Sequence, residues 1–145
     1  MGARWSVIAW LCLVAGCAKA SVEREREAAI QLEVRVDGAA TTTWHQEDFD
    51  QTPIAANASR NSDGDERATW SLRELVTRTY GAHARVVAIV GDSTKTIGPA
   101  EWNDPERTPI VHKTRRGNLN FCWADAAGTW GETQVKHMTA VEVVR

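Results

Sequence analysis

The first 16 residues contain a short apolar run, and this run decides which part of the chain is left to fold. Trp5 to Ala15 is apolar except for Ser6, and Arg4 together with the amino terminus places positive charge ahead of it. The run is shorter than the roughly 20 apolar residues that cross a bilayer, and its length and flanks are typical of a secretion signal. We therefore expect residues 1–16 to be removed and the folded domain to form outside the cytoplasm.

The apolar run ends in the sequence Val14-Ala15-Gly16-Cys17. This sequence resembles the lipobox of bacterial lipoproteins, in which a diacylglycerol is attached to the cysteine through a thioether and cleavage follows. The resemblance implies lipidation of Cys17 with acyl chains such as palmitate, which anchor a protein stably in a membrane. It also implies a domain that faces the periplasm or the cell exterior. Residues 18–29 are charged and have no apolar face, which predicts a tether over residues 17–29 or a frayed helix. The alternative is an ordinary secretory signal that is cut near Ala18 or Ala20.

The chain contains three cysteines, and the leader region accounts for two of them. Cys12 lies within the signal peptide and Cys17 directly follows it, so Cys122 is the one thiol of the remaining chain. A lone thiol forms no internal disulfide, and the domain therefore depends on its apolar core. The remaining chain is long enough for one domain with such a core.

Charge and histidine spacing exclude two classes of function. The chain has 17 basic and 19 acidic residues, and loss of Arg4 with the leader leaves a net charge of −3. Nucleic-acid binding requires a basic face, so we expect no nucleic-acid partner. The spacing between histidines does not match that of zinc motifs, so we expect no metal site. The four histidines are His45, His83, His112 and His137.

Two segments after the leader have clear periodicity. Ile30 to Val36 alternates apolar and polar residues, which is typical of a half-buried strand, and Asp37-Gly38 follows as a turn. Ser71 to Tyr80 has the periodicity of a helix, with a capping box formed by Ser71 and Glu74. Gly81 supplies the signal that ends this helix.

Shorter patterns predict the rest of the domain. Val and Ile are dense in Arg85–Val90, which is typical of a strand buried on both faces, and Pro99 favours one helical turn over Pro99–Asn103. Polar residues without periodicity predict loops at residues 55–68 and Gly128–Gly131. The other predictions are a short helix at Gln46–Gln51 and strands at Thr41–Trp44, Lys95–Ile97, Thr108–Lys113, Leu119–Trp123 and Ala140–Val144. These elements predict a single α+β domain over residues 30–145, with a mixed β-sheet, one well-formed helix and short helices.

Several short motifs follow one another along residues 30–145. They are Val36-Asp37-Gly38, Glu47-Asp48-Phe49, Pro53, Trp70 to Val76, Ala84 to Val90, and the closing run of Trp130-Gly131, Val135-Lys136, Met138 and Val141-Glu142-Val143. Their order resembles that of a known family, the sulfite-oxidase-type molybdopterin-binding domains, in which a strand ends in a V-D-G turn, a tryptophan precedes an L-x-x-L-L helix, and the domain closes on G-x-x-x-V-K-W-L-x-x-I-E-V. The resemblance covers nearly all of residues 30–145 and implies a reduced version of that fold.

The chain departs from the family at the residue that carries its chemistry. Catalytic members hold molybdenum with a cysteine thiolate ahead of the tryptophan, but Ile54–Thr69 has no cysteine. Molybdenum in this fold needs a soft thiolate, and Cys122 falls on a late strand. We therefore expect no cofactor and a non-catalytic domain that binds a partner protein or a small anionic ligand at the membrane. The alternatives are a periplasmic molybdopterin-dependent oxidoreductase with another metal ligand, and a structural component of the cell envelope.

Positive charge is concentrated in His112, Lys113, Arg115 and Arg116. Arginine offers bidentate contacts to phosphate groups, so this segment is a candidate binding site for a phosphate, a pterin phosphate or a lipid headgroup. The alternative is a solvated hairpin turn. Lys136 matches the position of the family's lysine, which contacts the cofactor. The resemblance therefore implies a role for Lys136 in binding a cofactor or an anion. Its alternative role is that of an edge-strand lysine that discourages aggregation.

Five tryptophans remain after the leader is removed. We expect Trp70 and Trp123 in the core. Trp102 and Trp130 are each beside turn residues and are candidates for the rim of a pocket, since aromatic faces hold flat ligands. Cys122 lies between two aromatic residues, which predicts a buried and unreactive thiol.

Overall fold

The computed structural model describes residues 30–51, 60–61 and 68–145. The predictions for the leader, for Cys17 and its tether, and for most of the loop at 55–68 lie outside these residues. The elements of the described residues are β1 (Gln31–Val36), β2 (Ala39–His45), α1 (Gln46–Asp50), β3 (Arg60–Asn61), β4 (Thr69–Ser71), α2 (Leu72–Tyr80), β5 (Arg85–Val90), β6 (Thr94–Thr96), α3 (Pro99–Trp102), β7 (Thr108–Lys113), β8 (Leu119–Ala124), β9 (Thr129–Val135) and β10 (Ala140–Val144). Mixed sheets with few, short helices confirm the coarse α+β class. No helix of this described part is both long and apolar enough to span a bilayer.

The strands form two sheets of five strands each. The first sheet has the order β2-β1-β10-β5-β6, and the parallel pair β1 and β10 lies at its centre, with Val34 opposite Val141. The second sheet has the order β3-β9-β8-β7-β4. Its only parallel pair within the described residues is β3 and β9, with Arg60 opposite Thr129. Both sheets are therefore mixed, as the sequence predicts, but the strands divide between two sheets where one was expected.

Apolar side chains from both sheets belong to one main core. Leu32 and Val34 of β1 are fully buried there, and so is Phe121 of β8 in the second sheet. Burial of such a side chain contributes about 1.5–3 kcal/mol. The α1 residue Phe49 places its ring centroid 5.3 Å from that of Trp70, which ties α1 to β4. The predicted core position of Trp70 is therefore confirmed.

The helix α2 begins and ends where the sequence predicts. The Ser71 hydroxyl accepts a hydrogen bond from the backbone amide of Glu74 at 3.2 Å, which satisfies one of the unpaired amides of the first turn. At the other end Gly81 adopts a φ of 99°, a conformation that glycine tolerates best. The buried face of the helix consists of Leu72, Leu75 and Val76.

Two strands lie where loops were predicted. β9 begins at Thr129, inside the segment predicted as a loop at Gly128–Gly131, and β3 lies within the predicted loop at 55–68. The sequence signal for β9 is weak because Trp130 and Val135 are its only buried residues. In addition, its pairing with β8 is interrupted by register shifts, so strict alternation is lost. These strands form because a neighbouring strand offers hydrogen-bonding partners, and the local pattern does not report that.

The predicted strand at Arg85–Val90 is confirmed, but it is less buried than the sequence predicts. The segment is β5, but Arg85, Val87 and Val90 are only half-buried. β5 lies next to the edge strand β6, which has three residues. β6 pairs only with Ala88, Ile89 and Val90, so Arg85 and Val87 have no β6 residue opposite them.

Candidate functional site

The two sheets meet at one end of the molecule, which we call the Ile30 end. β1 begins there, and β2 ends there with His45 opposite Gln31. The backbone amide of Met138 donates to the carbonyl of Leu119 at 2.8 Å, which joins the segment before β10 to the start of β8. The described residues of the Ile30 end are 30–31, 45–48, 91–94, 113–119 and 136–139.

The hairpin between β7 and β8 brings three predicted site residues to the Ile30 end. Lys113 closes β7, and its Nζ donates to the side-chain oxygen of Gln46 at 3.4 Å. Arg115 and Arg116 occupy the turn and are exposed. Gly117 has a φ of 88°, which allows the chain to reverse tightly at this point. The predicted cationic segment is thus an exposed hairpin turn.

Lys136 reaches the same end of the molecule from a distant part of the sequence. It is exposed in the connection between β9 and β10, and its carbonyl accepts a hydrogen bond from the backbone amide of Asp92 at 2.9 Å. The next residue, His137, donates its backbone amide to the side-chain oxygen of Asn120 at 3.1 Å. Its Nδ1 lies 2.8 Å from a carboxylate oxygen of Asp92. We call Lys113, Arg115, Arg116 and Lys136 the basic cluster.

His112 does not join the basic cluster. Side chains alternate between the two faces of a sheet along a strand. Val111 faces the main core, so its neighbour His112 points to the other face of the second sheet. The His112 side chain is buried, and its ring stacks on Trp130 with centroids 4.3 Å apart and an interplanar angle of 20°. Of the residues predicted to bind an anion, Lys113, Arg115, Arg116 and Lys136 lie at the Ile30 end, whereas His112 is buried on the outer face of the second sheet.

The two tryptophans predicted at a pocket rim are buried. Trp102 is 2% exposed within the main core, and the Arg73 guanidinium lies 5.7 Å from its ring centroid. Trp130 is 4% exposed on the outer face of the second sheet, the face away from the main core. Burial of so large an apolar surface outweighs the polarity of the neighbouring turn residues. Trp123, predicted in the core, is half-buried and packs against it.

Sequence analysis missed a row of buried polar residues on the outer face of the second sheet. Thr69 of β4 and Asn120 of β8 lie directly opposite His112, one on each side of it. Within the described residues, the Thr69 hydroxyl and the Trp130 indole nitrogen are buried without a hydrogen-bond partner. Native proteins pair most such groups, so the Thr69 hydroxyl and the Trp130 indole have unused hydrogen-bonding capacity. The alternation along β7 and β8 could have placed His112 and Asn120 on one face of the sheet. The sequence does not show that β4 pairs with β7 and adds Thr69 to the row.

Cys122 lies on the same outer face in an apolar cluster with Ile110, Ala124 and Trp130. The thiol is fully buried, and its sulfur lies 3.7 Å from the hydroxyl oxygen of Thr133. Burial raises the pKa of the Cys122 thiol because the charged thiolate loses its hydration. A metal ligand or nucleophile must be a thiolate. Cys122 therefore does not fit the thiolate ligand of molybdenum that the family resemblance implies.

No family model, no curated protein and no solved structure matches this chain. The resemblance to sulfite-oxidase-type domains therefore stays a prediction from the motifs themselves. In the described ranges, no group of three or more His, Cys, Asp or Glu side chains is placed to hold a metal ion.

Proposed function

We propose that this chain is a membrane-anchored lipoprotein of the cell envelope whose domain binds a partner or a small anionic ligand without catalysing a reaction. The observation that carries the proposal is the position of Cys122. It is the one thiol that remains once Cys12 is removed with the leader and Cys17 is acylated. It is buried among apolar side chains with a raised pKa, so it supplies neither a nucleophile nor a soft metal ligand.

We propose further that the domain is a reduced version of the sulfite-oxidase-type fold. The opening and closing segments that carry the resemblance are neighbours in space, which supports this proposal. Val36 lies opposite Val143 in the parallel pair of β1 and β10, and the backbone amide of Asp37 donates to the carbonyl of Val143 at 2.9 Å. Two motifs more than 100 residues apart are thus parts of one structural unit.

The proposal is tested on full-length protein purified from the membranes of a bacterial host that synthesises the molybdenum cofactor. Intact mass should show two or three acyl chains on a chain that begins at Cys17, and metal analysis should find molybdenum far below one atom per chain. Cys17→Ser should abolish the acyl mass, whereas the matched leader variant Cys12→Ser should keep it. Stoichiometric molybdenum, or an unmodified Cys17, would overturn the proposal.

A further inference from the structure

The tether and the basic cluster meet the folded domain at the same end. The chain enters β1 at Ile30, and Cys17 is separated from Ile30 by residues 18–29. Even fully extended, the 13 Cα–Cα steps from Cys17 to Ile30 span at most about 47 Å. A lipid on Cys17 therefore keeps the Ile30 end within that distance of the bilayer surface, and the domain encounters the surface repeatedly.

The two ends of the second sheet differ in their charged residues. At the Ile30 end lie the four cationic side chains of the basic cluster. At the other end, the loop before β7 holds Asp104 and Glu106, and Asp125 follows β8. Arg107 donates its Nε to Asp104 at 2.9 Å, and the Arg73 guanidinium donates to carbonyls of the same loop. The hairpin residues 113–118 near the tether contain basic but no acidic side chains, whereas the distal loops contain both signs of charge.

The acidic residues of the Ile30 end are mostly engaged in local contacts. Asp92 is paired with His137, and the Asp48 carboxylate accepts the backbone amide of His45 at 2.8 Å. Glu47 is the remaining acidic residue among the described positions of this end. The exposed arginines of the hairpin, Arg115 and Arg116, are therefore available to an external anion.

From this placement we propose that the basic cluster docks on the anionic lipid headgroups of the membrane in which the chain is anchored. The inference rests on the lipid anchor of the proposed function and adds a second, electrostatic contact. A single basic residue near an anionic surface adds a modest attraction that acts within a Debye length, about 8 Å at physiological salt. The tether supplies the proximity, and the basic cluster sets the orientation, with β7 and β8 directed away from the bilayer.

The test uses the acylated protein, reconstituted through its own anchor into vesicles of phosphatidylcholine, with or without about 30 mol % phosphatidylglycerol. Amide hydrogen exchange is measured at residues 113–118 and 136–138. Exchange at these amides should be slower in the anionic vesicles, and the difference should vanish at about 1 M NaCl, where the Debye length is about 3 Å. Equal exchange in both vesicle types would overturn the docking proposal.

A pair of variants with equal charge change makes the test specific. Arg115→Gln/Arg116→Gln removes two positive charges from the turn and should lower the ratio of docked to undocked domain about 30-fold. Arg85→Glu, at the opposite end of the first sheet beside Val144, changes the net charge by the same amount and should keep the protection. Unchanged exchange in β7 and β8 shows that each variant is folded. Equal loss of protection in both variants would overturn the proposal, because only net charge would then matter.

Two further measurements separate lipid docking from binding of free phosphate and from the absence of a lipid anchor. Inorganic phosphate added to the phosphatidylcholine vesicles should leave exchange unchanged, and slower exchange would assign the cluster to a free phosphate instead of the lipid surface. Intact mass is read on the same sample. An unmodified Cys17 refutes the anchor, whereas an acylated protein without protection in anionic vesicles refutes only the docking surface.

Discussion

The carboxylate of Asp37 accepts two hydrogen bonds from Arg145, one from the backbone amide at 3.1 Å and one from the guanidinium at 3.2 Å. Asp37 occupies the turn after β1 with a φ of 51°, and Arg145 directly follows β10. The contact therefore joins the turn after the first described strand to the end of the chain. The backbone bond of Arg145, followed by its side chain, lowers the pKa of Asp37.

This contact predicts how stability responds to acid. A carboxyl whose pKa is lowered in the folded state stabilises the fold above its unfolded pKa of about 3.9, and this stabilisation is lost as the pH falls through the folded pKa. Asp37→Asn tolerates the positive φ but removes the charge. Denaturant unfolding should show the variant less stable than the wild type at neutral pH, and the difference should shrink as the pH falls below the unfolded pKa of about 3.9. The control variant Glu132→Gln removes one negative charge at an exposed position of β9 without touching Asp37 or Arg145.

Gly91 is expected to be irreplaceable because of a close backbone approach. A Cβ at this position would collide with the Lys136 carbonyl and would lie 2.7 Å from a methyl of Val135 and 2.9 Å from the His137 carbonyl. Backbone atoms cannot rotate away, so Gly91→Ala should cost about 2–3 kcal/mol of unfolding free energy. Gly131→Ala is the matched control, since nothing lies within 4 Å of its added Cβ. Chemical denaturation measures both, and equal stability of the two variants would contradict the packing argument.

Arg73 is expected to hold the loop between α3 and β7. Its guanidinium donates to the backbone carbonyls of Trp102, Asp104 and Arg107. Burial lowers the pKa of Arg73, yet arginine stays charged in proteins. Arg73→Met should cost about 2–3 kcal/mol, since charged hydrogen bonds to several carbonyls are lost.

Hydrogen exchange separates this role from a general loss of stability. In Arg73→Met, the amides of Asn103, Asp104, Glu106 and Arg107 should exchange faster than in the wild type, and this increase should exceed that of the β7 amides. The comparison variant is Arg78→Met, whose exposed guanidinium donates to the Gln51 carbonyl, and it should cost less than about 1 kcal/mol. If residues 103–107 keep their protection in Arg73→Met, the proposed positioning role is wrong.

Cys122 is expected to make the protein less stable in base. The folded state raises the thiol pKa above its ordinary value of 9.0, so the unfolded chain loses its proton first. The contribution of the protonated thiol to the stability of the folded state is fully present below that value and is lost as the pH rises towards the folded pKa. Burial also raises the pKa of Tyr80, so the comparison belongs in a Tyr80→Phe background. There, Cys122→Ala should lower stability at neutral pH and remove the decline of unfolding free energy above about pH 9, read from denaturant midpoints.

A thiol reagent provides an independent measurement of the same burial. In the acylated protein, Cys122 should react only at the rate at which the fold opens, and one thiol per chain should appear on denaturation. Fast labelling of the native protein would contradict the buried position of Cys122.

Several local elements were predicted correctly from the sequence. The alternation from Ile30 to Val36, the turn at Asp37-Gly38 and the helix capped by Ser71 each depend on neighbours a few residues apart. These elements are stabilised by burial of a periodic apolar face, by glycine conformation at turns and by helix capping. A short stretch of sequence specifies all three. For the same reason Arg115 and Arg116 were recognised as a charged turn, because they are adjacent in the chain.

The arrangement of these elements was decided by tertiary structure alone. The sequence specified that strands exist but not that β1 pairs in parallel with β10, since that choice depends on which strand offers matching backbone groups and a shared core face. The same packing places Lys136 and the hairpin of Arg116 at one end of the molecule and stacks His112 on Trp130. Interactions between neighbouring residues determine each element by itself. The site depends on contacts between residues far apart in sequence, and these contacts form only when both sheets have formed.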